Sequence, residues 1–277
     1  MSPDEYCQRK AAGSGSSFYY SFLFLPPARR RAITALYAFC REVDDVVDEC
    51  SDLQLAHARL AWWRSEIGNL FDGKPQHPVM RALAPAVSDY GLSSELMLEI
   101  LEGMQMDLSQ TRYLDFAGLE RYCYHVASAV GQLAAGIFGY RDAHTLDYAK
   151  DLGIAFQLTN IIRDVGEDAR KNRIYLPVDE LKAFGVPAAD ILGMRQSESF
   201  TRLMQFQAQR ARGYYERALG ALPAEDRRAQ RPGLIMAAIY RALLEELDRD
   251  EFRVLDRRTS LTPVRKLWIA WRTWVTA

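Results

Sequence analysis

The stretch Gln157-Leu-Thr-Asn-Ile-Ile-Arg-Asp-Val-Gly-Glu-Asp168 indicates the fold of this chain more strongly than any other segment. Four of its polar residues, Gln157, Asn160, Asp164 and Asp168, are spaced three, four and four residues apart, and the apolar residues between them are Leu158, Ile161, Ile162 and Val165. On an α-helix this spacing places two amides and two carboxylates along one face. The stretch therefore predicts a helix that is embedded in a core and carries one stripe of oxygen ligands.

A second stripe of this kind lies nearer the N-terminus, in Tyr37-Ala-Phe-Cys-Arg-Glu-Val-Asp-Asp-Val-Val-Asp48. Tyr37, Arg41, Asp44 and Asp48 are spaced four, three and four residues apart, so a phenol, a guanidinium and two carboxylates share one helix face. Two carboxylates at positions i and i+4 repel each other by a few tenths of a kcal/mol. We therefore expect a cation between Asp44 and Asp48.

Carboxylate and amide oxygens, without thiolate or imidazole, are the ligands of a hard cation. Mg²⁺ commonly takes one or two protein carboxylates and completes its shell with water and substrate phosphates. A single acidic pair would more simply be a solvated helix face. Two stripes, each extended in register by amide, phenol or guanidinium groups, favour a Mg²⁺ site and a phosphorylated substrate.

Apolar residues recur three and four positions apart along most of the chain, without a convincing alternating run bounded by turns. Pro26-Pro27 suits the first turn of a helix that runs to Glu49, because proline has no N–H to leave unpaired there. Between breaks rich in Gly and Pro, further helices are expected near 53–71, 78–90, 93–111, 115–139, 142–170, 196–219, 231–254 and 262–274. Since no linker or repeat is visible, we predict an all-α fold in a single domain, residues 1–277.

Composition and charge exclude several classes of protein. Hydrophobic residues make up 49% of the chain and charged residues 26%, enough for a large core. A net charge of −1 gives no basic field for nucleic acid. The chain has neither a signal-like N-terminus nor a run of about 18 apolar residues that could span a bilayer, so a cytoplasmic protein is expected. Its four cysteines lack the spacing of zinc sites and are expected to be reduced.

At the two stripes the sequence resembles the squalene/phytoene synthase family, in which two aspartate-rich helical motifs face each other across a central cavity. Asp44-Asp-Val-Val-Asp48 is similar to the first family motif, and 160–168 is similar to the second. Segments 14–18, 122–131 and 172–177 also resemble the family. The resemblance extends from about residue 5 to 260 and implies an isoprenoid synthase helical bundle around a central cavity.

The resemblance also implies roles for individual residues. Mg²⁺ would be held by Asp44, Asp48, Asn160, Asp164 and Asp168. Substrate would be bound by Ser14, Ser17, Phe18, Tyr37, Arg41, Tyr122, Gln157, Arg163, Tyr240 and Arg257. Catalysis would depend on the four aspartates together with Tyr37 and Arg41. Because no histidine or isolated glutamate in the motifs is placed as a base, we expect the released diphosphate, with Tyr37 or Tyr240 nearby, to take the proton.

The implied activity is that of a Mg²⁺-dependent prenyltransferase that joins two farnesyl diphosphates head to head. Segments 18–27 and 40–48 favour presqualene diphosphate as the product, in squalene or hopanoid biosynthesis, with a downstream squalene-forming enzyme as partner. The alternative is a phytoene or dehydrosqualene synthase of carotenoid biosynthesis. A reductive squalene synthase, a terpene cyclase and a non-catalytic assembly factor fit less well, the last because every motif aspartate is retained.

The C-terminal segment Arg265-Lys-Leu-Trp-Ile-Ala-Trp-Arg-Thr-Trp274 is basic and carries three tryptophans, each three residues from the next. A helix of this composition can rest on a membrane surface, where an apolar product must go. It can equally be a terminal helix packed on the bundle. Peripheral membrane contact is expected under the first interpretation only.

Overall fold

The computed structural model describes residues 1–13, 21–22, 24–50 and 52–276, and only the backbone of residues 13 and 49. The chain is 75% helical, and its described residues contain no strand. The α-helices, in chain order, are α1 (Pro3–Gly13), α2 (Pro27–Glu49), α3 (Leu53–Phe71), α4 (Pro78–Tyr90), α5 (Ser94–Ser109), α6 (Phe116–Cys123), α7 (Ala129–Phe138), α8 (His144–Arg170), α9 (Val178–Ala183), α10 (Ala188–Leu192), α11 (Glu198–Ala221), α12 (Arg231–Arg249) and α13 (Pro263–Thr276). A π-helical turn, Tyr124–Ser128, joins α6 to α7.

Most helices begin at a local signal that the sequence carries. Pro27 occupies the first turn of α2, as predicted. The Asp52 side chain caps α3 by accepting hydrogen bonds from the backbone N–H groups of Gln54 and Leu55. The side chains of Ser93, Asp115 and Ser197 cap α5, α6 and α11 in the same way. These caps satisfy N–H groups that have no partner inside the helix.

The all-α prediction is confirmed, with three local differences. The helix expected over 115–139 is interrupted by the π-helical turn, which inserts an extra residue into the helical ladder. The last predicted turn of 231–254 is absent, since α12 ends at Arg249. Helix α1 was not predicted, and neither were α9 and α10, which are too short for a helical period and begin after Pro177 and Pro187.

Two clusters of buried side chains form the core. One gathers mainly α8, α11 and α12. The other gathers α2 to α5 together with α7. Val126 of the π-helical turn packs against both clusters. The space between α2, α7, α8 and α12 is therefore bounded by both halves of the core, and it holds the cavity described below.

The π-helical turn and α8 approach each other at backbone distance. A Cβ atom on Gly153 would lie 2.6 Å from Ser128 Cα and 2.7 Å from the Ala127 carbonyl oxygen. Ser128 Oγ donates a hydrogen bond to the Lys150 carbonyl oxygen, 2.6 Å away. Only glycine fits at position 153 without moving a backbone, so this contact fixes the register of α8 against α7.

Two further expectations concern the state of the cysteines and helices that could span a membrane. All four cysteines are free, and Cys7 and Cys123 are buried. Among the described residues, no helix combines the length and the apolar character required to cross a bilayer.

Candidate active site

A polar compartment and an apolar tunnel adjoin each other in the middle of the bundle. The compartment has a volume of about 150 Å³ and the tunnel about 220 Å³. Gln157 and Asn160 of α8 line both of them. The arrangement suits an amphipathic molecule with a charged head in the compartment and an apolar chain in the tunnel.

The two predicted stripes meet in the polar compartment. Asp44 and Asp48 reach it from α2, and Asp164 and Asp168 reach it from α8. Positions predicted from separate parts of the sequence thus line a single cavity. Tyr122 also lines the compartment, from the end of α6.

Basic side chains pair with the carboxylates of α2. Arg41 Nη1 lies 2.6 Å from Asp44 Oδ2. Lys171 Nζ and Arg173 Nη1 lie 3.1 Å and 3.4 Å from the carboxylate oxygens of Asp48. Lys171 and Arg173 follow α8 directly, so the connection between α8 and α9 closes one side of the compartment over α2.

The carboxylates of α8 are paired unequally. Arg163 Nε donates to Asp164 Oδ1 at 2.7 Å, and Arg258 Nε lies 3.0 Å from the same oxygen. Within the described part of the chain, Asp168 has neither an ion pair nor a side-chain hydrogen bond. Asp168 is therefore the motif aspartate whose charge is least compensated.

Burial and crowding raise the pKa of two of these carboxyl groups. Desolvation raises the pKa of Asp44 to about 6, although Arg41 opposes the shift, and Asp48 adds to it. Desolvation raises the pKa of Asp168 to about 7, with the Asp164 charge as the next cause. The Asp44 side chain is still 39% exposed, so water moderates the effect there. Both carboxyl groups are therefore harder to ionise in the folded protein than in water.

The donor set fits a divalent cation that shares its shell with phosphate. Asn160 Oδ1 is buried and has no hydrogen-bond partner, so it is an oxygen available as a ligand. No three carboxylate, thiolate or imidazole groups converge into a closed metal site within the described residues. Mg²⁺ characteristically uses few protein carboxylates and completes its shell with substrate oxygens and water. The protein groups alone therefore form only part of the shell.

The free energy of unfolding should depend on pH through the carboxyl groups of Asp44 and Asp168. Because their pKa values rise from 3.8 to about 6 and about 7, the folded metal-free protein binds more protons than the unfolded chain in that range. Its stability should therefore fall as pH rises from about 4 to about 7. Mg²⁺ binds the deprotonated form, so its stabilising effect should grow across the same window. Thermal unfolding with and without Mg²⁺ and pyrophosphate, on either side of the window, measures both trends.

A double variant, Asp44→Asn with Asp168→Asn, is the control for this prediction. It should lose both the pH dependence from these groups and the stabilisation by Mg²⁺ and pyrophosphate. An equal stabilisation of parent and double variant would contradict the assignment.

Arg258, and not the predicted Arg257, contacts the second aspartate motif. Arg257 Nε lies 3.0 Å from Asp250 Oδ2, and its side chain is largely exposed. Arg258 instead contacts Asp164, and also Glu167 at 3.4 Å. The loop after α12 crosses α8 at Gly166, where a Cβ atom would overlap the Val254 carbonyl oxygen. That crossing brings residue 258 to the metal-motif helix.

We expect Arg258→Ala and Arg257→Ala to differ sharply. A charge-assisted hydrogen bond to a diphosphate contributes about 1.5 to 3 kcal/mol, so Arg258→Ala should raise KM about 10- to 100-fold. Arg257→Ala removes an exposed ion pair and should change KM by less than about threefold. Steady-state kinetics on both variants measures the contrast, and the reverse order would restore the prediction from sequence.

Several residues of the compartment were not predicted as site residues. Asp107 of α5 is buried and accepts hydrogen bonds from the hydroxyl groups of Tyr122 at 2.7 Å and Tyr175 at 2.8 Å. Burial raises the pKa of the Asp107 carboxyl, and both tyrosine hydroxyls oppose the shift. An aspartate within the apolar run of α5 was the available signal. Asp107 positions the Tyr122 hydroxyl beside the aspartates.

A further cation belongs to α13. Burial and the nearby charges of Arg163 and Arg258 lower the pKa of Lys266. The C-terminal helix therefore turns one basic residue toward the guanidinium groups that flank Asp164.

Of the other predicted residues, Gln157 lies on the boundary between compartment and tunnel, Tyr37 lines the tunnel, and Tyr240 packs behind the tunnel wall on Phe156. Tyr37 and Gln157 line the tunnel at the end nearest Asn160. Tyr240 of α12 is buried, its ring lies 4.9 Å from the Phe156 ring, and burial raises its pKa, although Arg163 opposes the shift. Ser14, Ser17 and Phe18, also predicted to bind substrate, lie outside the described residues.

Beyond this boundary the tunnel is apolar. Its wall includes Leu36, Val126, Val130, Ala134, Phe138, Leu152 and Phe156. Gly153 faces Ser128, and a Cβ atom on Gly131 would lie 2.7 Å from the Ala149 carbonyl oxygen, so α7 and α8 run antiparallel. Residues later in α7 therefore lie farther from Asn160, and Ala134 and Phe138 line the far part of the tunnel.

Comparison with known families and proteins gives a consistent result. The squalene/phytoene synthase family matches residues 11–265. Phytoene synthase from Arthrospira platensis is 35% identical over 276 residues, covering 95% of this chain and 89% of the relative.

Solved structures give the same fold. A dehydrosqualene synthase in complex with a ligand superposes with a TM-score of 0.87 at 29% identity, covering 98% of this chain and 95% of the other. The squalene synthase HpnC from Alicyclobacillus acidocaldarius gives a TM-score of 0.81 at 28% identity, covering 90% of this chain and 94% of the other.

Proposed function

The chain belongs to the squalene/phytoene synthase family of head-to-head prenyltransferases, and from that premise we propose that it joins two geranylgeranyl diphosphates into phytoene in a Mg²⁺-dependent reaction. The observation that supports the reaction class is the meeting of two aspartate pairs in one compartment that opens into an apolar tunnel. The choice of product is supported by the phytoene synthases to which the chain is similar. On this proposal residues 1–277 form one catalytic domain in the cytoplasm.

A second candidate keeps the same chemistry with a shorter substrate. The dehydrosqualene and squalene synthases that superpose on this chain favour farnesyl diphosphate, with presqualene diphosphate or dehydrosqualene as product. This is the product that segments 18–27 and 40–48 favoured, and its consumer would be a squalene-forming enzyme. The phytoene synthases are the more similar relatives in sequence, so phytoene is the main proposal.

Binding of the diphosphate would begin with the basic groups that now pair with the aspartates. Bound Mg²⁺, held by Asp44, Asp48, Asn160, Asp164 and Asp168, would supply Lewis-acid stabilisation of the leaving diphosphate. Arg41, Arg163 and Arg258 have planar guanidinium groups that match phosphate oxygens in pairs. Each lies against an aspartate of the compartment. They would orient the diphosphate so that its bond to the allylic carbon points into the tunnel.

The tunnel would protect the allylic cation that remains after the diphosphate leaves. Its wall is apolar and aromatic, so water is excluded, and aromatic faces attract a desolvated cation by about 2 kcal/mol. Phe22 and Phe156 both line this space. The second prenyl chain would supply its double bond to the cation there, before water could add.

Joining two geranylgeranyl diphosphates into phytoene would release two diphosphates and two protons, one of each as a cyclopropyl diphosphate intermediate forms and one of each as that intermediate is converted to phytoene. Each proton would pass to a departed diphosphate. Burial raises the pKa of Tyr240, which keeps its hydroxyl protonated and unsuited as a base. Tyr37 lines the tunnel and would orient the diphosphate by hydrogen bonding. If Tyr37→Phe with Tyr240→Phe retained full turnover, neither hydroxyl would take part.

Product analysis tests the proposal directly. Purified protein is incubated with Mg²⁺ and either geranylgeranyl or farnesyl diphosphate, without NADPH, and the products are identified by mass spectrometry. Phytoene from the longer substrate is the expected result. Presqualene diphosphate or dehydrosqualene from the shorter substrate would establish the second candidate. Release of neither product by folded protein would overturn both.

A further inference from the structure

The exposed face of α13 carries an apolar stripe that the bundle does not cover. Five side chains form the stripe, and each is between 46% and 77% exposed: Val264, Leu267, Trp268, Trp271 and Val275. Their spacing of three or four residues places them on one side of the helix over roughly 16 Å. Large exposed apolar patches mark interaction surfaces.

The stripe is exposed because the opposite face of α13 is fixed to the protein. Ala270 is buried against the core. The Trp274 ring stacks on Phe24 at 5.0 Å, and the Arg231 guanidinium lies 5.0 Å from the same ring. Arg265 Nη1 lies 2.7 Å from Glu246 Oε2 of α12. The helix therefore packs one face on the bundle and exposes the other face to solvent.

A cleft with positive charge adjoins the C-terminal end of this helix. It has a volume of about 600 Å³, and Trp274 lines it together with Arg29, Arg141, Arg228 and Arg231. Two carboxylates also lie there, Glu225 and Asp226. Asp226 is buried, and its oxygens accept hydrogen bonds from the backbone N–H groups of Arg141 and Asp142. Arg141 and Arg228 are exposed, so the cleft presents net positive charge to solvent.

We propose that the apolar stripe of α13 and the arginine-lined cleft form a docking surface for an anionic lipid bilayer. Tryptophan is enriched where protein meets the headgroup layer, and a helix with one apolar and one basic side binds parallel to that layer. The segment Pro263–Thr276 contains no acidic residue, and Arg272 on it is exposed, which complements an anionic surface. The stripe enters the headgroup layer, and Arg141 and Arg228 contact lipid phosphates.

The position of the cleft gives this surface a use in the proposed function. Pro232 lines both the cleft and the tunnel, at the end of the tunnel away from the aspartates. An apolar product held in the tunnel therefore lies next to the bilayer surface. This step rests on the proposed function, whereas the docking surface itself does not.

Vesicle binding by the full-length protein, without substrate, tests the docking surface. Sedimentation with vesicles of phosphatidylglycerol and phosphatidylcholine should pellet the protein, and vesicles of phosphatidylcholine alone should pellet much less. Trp268→Ser with Trp271→Ser should weaken partitioning at least about tenfold. Arg141→Gln and Arg228→Gln should each weaken it about fivefold on anionic vesicles only.

The matched control is Trp62→Ser, an exposed tryptophan on α3. It should bind vesicles as the parent does. Unchanged binding by the double tryptophan variant would overturn the proposal. So would a protein dimer, detected by analytical ultracentrifugation, that the same variant dissociates while vesicle binding is absent. Because no product is measured, failure here is distinct from failure of the proposed activity.

Discussion

Replacing Asp168 with asparagine should lower kcat by about a thousandfold while leaving the fold intact. Electrostatic stabilisation of a leaving group by a metal contributes several kcal/mol, and about 1.4 kcal/mol corresponds to each tenfold change in rate. Asp168 is the motif aspartate without an ion pair in the described part of the chain, so its charge is the one most available to a cation. Single-turnover kinetics at saturating Mg²⁺ measures the loss.

The same variant should be at least as stable as the parent in the absence of metal. Desolvation and the Asp164 charge raise the pKa of Asp168 to about 7, which means that the ionised form is held at a cost to the folded state. Asparagine removes that charge with little change in shape. A loss of activity accompanied by a higher melting temperature would separate a metal-binding role from a structural one.

Asp151→Asn is the matched control on the same helix. Asp151 lies on α8 toward its N-terminal end, and its carboxylate pairs with Arg217 at 3.2 Å. An exposed pair of this kind contributes little to stability, so kcat should stay within about twofold of the parent. Equal losses of kcat in Asp151→Asn and Asp168→Asn would mean that removing any charge from α8 lowers activity. That result would contradict a metal-binding role for Asp168.

The two aspartate motifs were predictable because the geometry within each is local. Residues three and four apart on a helix share a face whatever the rest of the chain does, so Asp164 and Asp168 had to point together. That Asp44 and Asp48 meet them across a cavity rested on resemblance to the family, and the structure places all four in one compartment.

The contacts that sequence reasoning missed depend on long-range geometry. Tyr175 reaches Asp107 across 68 positions of sequence, and helical spacing carries no information about such a pair. Arg258, and not the predicted Arg257, contacts Asp164, and the chain between α12 and this contact passes through Glu251 and Phe252, both of which have positive φ. Neither residue type favours that conformation, so the turn could not be predicted from the residue types.

The sequence motifs and the similar proteins point to different products. Segments near the first motif favoured a C15 substrate, whereas the similarity to proteins named phytoene synthases supports the C20 substrate of the main proposal. On the proposed function the motif aspartates would act only on the diphosphate, so they carry no information on the length of the prenyl chain. The C15 and C20 chains would differ in their contacts at the far wall of the tunnel, where only the longer chain would extend.

Ala134→Phe should therefore shift the substrate preference from C20 toward C15. Ala134 lines the far part of the tunnel, and its side chain is partly accessible although α7 is packed on both sides. A benzyl group there would occupy space required by the last isoprene unit of the longer chain. Since a single methylene changes discrimination by about 10- to 200-fold, kcat/KM for geranylgeranyl diphosphate should fall at least about 100-fold. The value for farnesyl diphosphate should fall less than about tenfold.

Val130→Phe is the control that locates the effect along the tunnel. Val130 lies one helical turn closer to Asn160 and also lines the tunnel, so a phenyl ring there should obstruct both substrates alike. Competition between the two diphosphates in one reaction, read by mass spectrometry, compares the variants without separate KM values. If both variants lost the two activities in equal proportion, the length of the tunnel would not determine which substrate is accepted. Selectivity would then have to arise in the polar compartment or in the order of substrate binding. A selective loss in Ala134→Phe alone would place the determinant at the far wall, because only the end of the longer chain reaches that residue.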